Sequence, residues 1–178
     1  MALKNSLDSY GWLAKLLHWV SALLLVGIVA AGLTFTSMER GPERGELAAL
    51  HKSVALLALL LMTVRLVWKF MNPRPAEPAT TPAWQKTAAS LTHWALYAAV
   101  YFQLIAGLLV SGQRPIAFFG LFEIPPFLEQ NEEQHELFEA WHGWGWKILA
   151  GLVTLHVLAS LYHHFKLKDD VLRRMTTG

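Results

Sequence analysis

The sequence predicts an all-α integral membrane protein, a bundle of four helices with both termini in the cytoplasm. Three observations predict it. Hydrophobic residues make up 54% of the chain and charged residues only 16%, against roughly 25% charged in a soluble domain. Four apolar runs each approach the roughly 20 residues that cross a hydrocarbon core of about 30 Å. Lysine and arginine gather on one set of flanks. The mean hydropathy of +0.33 and this balance exclude a disordered or collagen-like chain.

The first run extends from about Leu13 to Phe35, the second from about Leu47 to Trp68. The third extends from about Ala88 to Ser111 and the fourth from about His142 to Phe165. All belong to one four-helix domain over 1–178. They are too long and unbroken for barrel strands, and a bilayer interior admits only helices or closed barrels. Lys4 and Lys15 before the first run imitate a signal peptide, but the apolar part is longer than such a segment needs. It is read as a retained span.

Orientation follows from the basic residues. Ten of the fifteen, including Lys4, Lys15, Arg65, Lys69, Arg74, Lys86 and Arg173, fall on the N-terminal segment, the second connection and the C-terminal tail. The other side holds Arg40, Arg44, Lys52, Arg114 and Lys147. Both termini are therefore cytoplasmic, with the Pro-rich stretch from Pro73 to Pro82 as the cytoplasmic connection. The acidic segment from Gln113 to Trp141 lies outside, with a short amphipathic interfacial helix around Leu128 to Ala140. The basic residues are scattered over membrane flanks, so nothing resembles a nucleic-acid site.

The histidines carry the chemistry. There are eight, and no cysteine, which removes thiolate metal sites, iron–sulfur clusters and covalent haem attachment. Ionisable residues inside spans are functional candidates by default. Depth sorts the rings into an outer pair, His51 with His142, and an inner group of His18, His93 and His156. His142 and His156 are fourteen residues apart, nearly four turns, so they share one face about 21 Å apart along the axis. His163 continues that stripe, with His164 beside it at the cytoplasmic exit.

Two haem planes, each held by two imidazoles and stacked across a bundle, need this arrangement. Structural zinc instead gathers four ligands at one point. Gly32 and Gly107 lie at the depth of an outer cofactor, and Ala58 lies between the two levels. His93 sits beside the inner ligands or on a quinone side, and His135 is a solvated loop residue. Arg65, fourteen after His51, either snorkels to the interface or pairs with a haem propionate or a quinone oxygen.

These residues resemble the bacterial cytochrome b561 family over nearly the whole chain. The match shows in Leu17-His18-Trp19, in His51-Lys52-Ser53, in Arg65 followed by Pro73 and Pro75, and in Leu91 to Tyr97. It continues in Trp141-His142, Leu155-His156, Leu161-Tyr162-His163-His164 and Leu172-Arg173-Arg174-Met175. One departure is Ala55, where the family commonly has a glycine four residues after the second-helix histidine.

The resemblance implies two b haems in the bacterial inner membrane, one ligated by His18 and His156, the other by His51 and His142. It implies electron exchange with ubiquinone and, in a superoxide oxidase-like activity, oxidation of superoxide at the periplasmic face. Arg65, His93, His163 and His164 are then candidates for the quinone site or a propionate contact. The alternative is a membrane anchor relaying electrons to or from a separate periplasmic redox protein.

Overall fold

The computed structural model describes residues 2–76 and 81–177, and four long helices dominate it. These are α1 (Trp12–Ser37), α2 (Pro42–Met71), α3 (Ala83–Ser111) and α4 (Glu132–Tyr162). Between α3 and α4 lies an antiparallel hairpin, β1 (Ile116–Phe118) and β2 (Phe122–Ile124). A π-helical turn, His163–Leu167, and a short helix, α5 (Val171–Met175), follow α4. Residues 77–80 of the Pro-rich connection lie outside the described residues.

Helix boundaries follow the local chemistry. Gly41 precedes Pro42, whose missing N–H and fixed φ suit the first helical turn. Pro82 stands one position earlier relative to α3, as its N-cap. Asn131 caps α4 by accepting the Gln134 N–H at 3.0 Å, and Glu132 and Glu133 occupy the first turn, where the helix dipole favours carboxylates.

That cap overturns the expectation of a separate interfacial helix around 128–140. From Glu132 onward the chain has good helix formers and no proline, so α4 runs unbroken into the span for 31 residues. Residues 128–131 are non-helical. His135 accordingly lies on α4, 3.5 Å from Glu139 one turn on, rather than in a loop.

α1 packs along α2 and α3 along α4, giving two helix pairs. They meet chiefly through α2 and α3, where Ile28, Ala58, Met62, Val100, Leu104 and Leu149 form the buried core. The outward faces stay apolar: Leu23 is 70% exposed, Leu60 63% and Leu158 59%. A soluble protein does not tolerate apolar exposure on this scale, whereas hydrocarbon accommodates it.

The N-terminal segment folds onto the end of α2. Asn5 Nδ2 donates to the Pro73 carbonyl at 3.1 Å, and the Ala76 N–H donates to Leu7 O at 2.7 Å. The C-terminal segment closes the same end: Trp19 Nε1 donates to Met175 O at 2.8 Å, and Arg174 donates to the Ala76 carbonyl.

The β-hairpin braces the opposite end. Its turn carries positive φ at Phe119 (50°) and Gly120 (71°). Glycine tolerates this freely, whereas phenylalanine does so only under constraint. Buried Ser53 supplies the constraint, accepting the Phe119 N–H at 3.0 Å while its own O–H is shared between Ala49 O and Ala117 O. Ser53 lies about 200° around α2 from His51, so the hairpin packs behind the histidine rather than over it.

Ser53→Ala removes that acceptor at a cost of about 1 kcal/mol. Hydrogen exchange across residues 116–124 is expected to quicken several-fold in Ser53→Ala, with the cores of the four long helices unchanged.

Candidate functional site

Two pairs of histidine rings face one another along the bundle. Toward the end that bears the termini, His18 on α1 and His156 on α4 have ring centres 6.4 Å apart, with planes at 63°. Toward the hairpin end, His51 on α2 and His142 on α4 have ring centres 6.3 Å apart, with planes at 86°. All four rings are half-buried. Among the described residues there is no group of three or more histidine or carboxylate side chains that could hold a metal ion.

The separations have a chemical meaning. An iron between two imidazole nitrogens, each about 2 Å away, with each ring centre about 1.1 Å beyond its nitrogen, needs ring centres about 6 Å apart. Both pairs meet that spacing. His93 differs, because its ring centre is 5.4 Å from His156 in an edge-on contact. That is too short for the same in-line geometry.

The hairpin-end rings have their tautomers fixed by backbone carbonyls. His51 Nδ1 lies 2.9 Å from Ile28 O, and His142 Nδ1 lies 3.2 Å from Gln103 O. A carbonyl only accepts, so Nδ1 of His51 carries the proton and its Nε2 keeps its lone pair for a metal; the same tautomer at His142 leaves its Nε2 to accept from the Gln103 amide N–H, 3.2 Å away. Four residues beyond each carbonyl stands a glycine. A Cβ at Gly32 would come within 3.1 Å of His51 Cε1, and one at Gly107 within 2.8 Å of His142 Cε1. The sequence placed these glycines at the level of an outer cofactor. Their direct role is to let an imidazole lie against the neighbouring helix.

Gln103 adds a feature the sequence reading passed over, although a glutamine amid the apolar run of α3 was a visible signal. Its Nε2 sits 3.1 Å and 3.2 Å from the two His142 ring nitrogens. Its Oε1 is buried without a hydrogen-bond partner among the described residues, as is Trp68 Nε1. Buried polar atoms are rarely left unpaired, and Gln103 Oε1, on the side chain that meets His142, suits a site shaped for a further group.

The other pair is surrounded differently. Arg65 Nη2 donates to His18 Nδ1 at 2.7 Å, and the guanidinium lies 5.5 Å from the Tyr97 ring centre. Lys69 Nζ sits 3.8 Å from the Trp94 ring centre and 4.5 Å from that of Tyr97. Arg65 is therefore drawn onto a histidine of the pair rather than simply extended toward water.

His163 and His164 stand apart from this cluster. The α-helix ends at Tyr162, and His163, in αR conformation with its N–H on Ala159 O, continues the stripe as the first residue of the π-helical turn. His163 Nδ1 meets Asp169 Oδ2 at 2.5 Å, tying the turn to the start of α5. The His164 ring packs edge-on against Phe165.

Comparison with known proteins gives this geometry a family. A family model described as prokaryotic cytochrome b561 matches residues 9–178. Cytochrome b561 homolog 2 of Escherichia coli strain K12 is 31% identical, the match covering 98% of this chain and 95% of that protein. Cytochrome b561 homolog 1 of the same organism is also 31% identical, over 89% of this chain and 92% of its own. The probable superoxide oxidase CybB of Yersinia pestis is 27% identical, over 89% and 90%. The chain thus belongs to the prokaryotic cytochrome b561 family.

Proposed function

We propose that the protein passes electrons across the bacterial inner membrane through two b haems, both termini being cytoplasmic. His18 and His156 hold the inner haem, and His51 and His142 the outer one. The observation that carries this reading is the pair of ring separations, 6.4 Å and 6.3 Å, each the span of one iron between two imidazoles. Membrane electron transfer with b-type haem is the common property of the family to which the chain belongs. Each bound haem supplies a one-electron station; the protein supplies ligation, spacing and a largely apolar surround.

The substrates proposed are superoxide at the outer face and ubiquinone near the inner one. Two superoxide ions each give up one electron and leave as dioxygen, and one ubiquinone takes two electrons and two protons. The name of the Yersinia pestis relative supports superoxide. So does Lys52, next to His51 and within the field of Arg114, since a local cationic pair draws an anion past the surrounding glutamates. Arg65, His93, His163 and His164 are proposed for the quinone side, with the His163–Asp169 pair as a route for protons.

A second reading rests on the first turns of α4, where Glu132, Glu133, Glu136 and Glu139 are exposed beyond the apolar span. This acidic ridge suits a basic periplasmic redox protein. Reversing its charge should then weaken turnover with that partner and leave superoxide oxidation unimpaired.

Dithionite-minus-oxidised spectra test the ligand pairs. His51→Ala is expected to halve haem content and spare the inner signal, whereas loss of both haems contradicts separate pairs. Gly107→Ala should displace His142 at about 1–3 kcal/mol and lower outer-haem occupancy. Gly27→Ala, where a Cβ meets nothing within 4 Å, serves as the control that retains both. His163→Ala should slow ubiquinone reduction by about tenfold or more with both haem spectra intact; loss of a haem would remove His163 from the quinone side.

A further inference from the structure

Two cations are built into the inner half of the bundle with no carboxylate paired to either among the described residues. Arg65 is bonded to His18, and Lys69, one turn along α2, is held against Trp94 and Tyr97 of α3. Among the described residues neither forms an ion pair; the pairs present join His135 to Glu139, His163 to Asp169 and Arg174 to Asp170. Cation–ring contacts offset only about 0.5–2 kcal/mol each, while charge inside a membrane bundle is costly and functional by default.

The outer pair has a different electronic setting: Lys52 follows His51 in the chain and feels Arg114, but neither cation bonds to a ring. His51 and His142 each donate Nδ1–H to a backbone carbonyl, which strengthens the ring as an electron donor to a metal and favours the oxidised state. No cationic side chain is hydrogen-bonded to either ring among the described residues. His18 instead faces a guanidinium, which can only donate. A proton returned to Nδ1 on ligation leaves that charge beside the ring, where it favours the reduced state.

We infer that the Arg65–Lys69 pair makes the inner site the higher-potential one and so directs electrons from the outer face toward the end bearing the termini. The inference rests on the ligand pairs proposed above. One electron leaves a donor at the outer face, which is oxidised, and one reaches a quinone-class acceptor near the inner site, which is reduced; no bond is made or broken between the two levels. Arg65 and Lys69 act through their field on the inner site and are positioning residues rather than catalytic ones.

Potentiometric titration of the purified holoprotein, read at the haem α-band, tests this. Two one-electron steps are expected, the upper retained in His51→Ala and the lower in His156→Ala. Arg65→Met should lower the upper step by at least about 59 mV, a tenfold change in a one-electron equilibrium, and Arg65→Lys should restore most of it. Lys69→Met should lower the upper step as well, and decides the matter if Arg65→Met fails to hold haem. An upper step that belongs to the outer site, or one unmoved in Lys69→Met and in a haem-replete Arg65→Met, overturns the inference. Loss of both haems in His51→Ala overturns the ligand pairing and this inference with it.

Discussion

The two opposed histidine pairs constrain everything around them. An imidazole inside a membrane bundle needs a partner for each ring nitrogen, or it carries the penalty of an unsatisfied polar group in an apolar medium. At the hairpin-end pair the bundle meets half of that demand with the carbonyls of Ile28 and Gln103. The other nitrogen of His51 remains available for a metal, and that of His142 is met by the Gln103 amide N–H. This division of labour requires the helices within each pair to approach closely, which Gly32 and Gly107 allow. It also leaves the helix pairs in contact mainly through α2 and α3, with the rings of α4 facing those of α1 and α2.

The same carbonyl-and-glycine device occurs on α1 and α3, four residues apart in each, and serves a ring from the partner helix of each pair. The pair at the end bearing the termini has a different solution. There His18 is engaged by Arg65, which in turn lies beside Tyr97 and Lys69. The two ends of the bundle thus offer similar ring spacing in unlike electrostatic settings. Identical stations would give no preferred direction, whereas unlike ones can.

The spans and the depth of each histidine were legible in the sequence, because hydropathy sets position along the membrane normal and 3.6-residue periodicity sets the face. The pairing of His51 with His142 follows from those two rules alone. His93 shows their limit: at the inner depth it stood equal with His18 and His156, and only ring geometry sets it apart. The hairpin was not legible, since three-residue strands carry too little alternation to register and their placement depends on the hydroxyl of Ser53, a tertiary contact. The continuous α4 was missed because an acidic amphipathic segment next to a span suggests an interfacial helix, while the Asn131 cap and the absence of a breaker carry the helix straight on. His163 keeps the stripe, and the π-helical turn changes the register only beyond it.

The central claim is that each ring pair is the span of one haem iron. Pyridine haemochrome analysis of the purified wild-type protein, set against its measured protein concentration, tests it most directly. Two non-covalent b haems per chain are expected. A value of one, or a preparation fully folded and active with none, would contradict it.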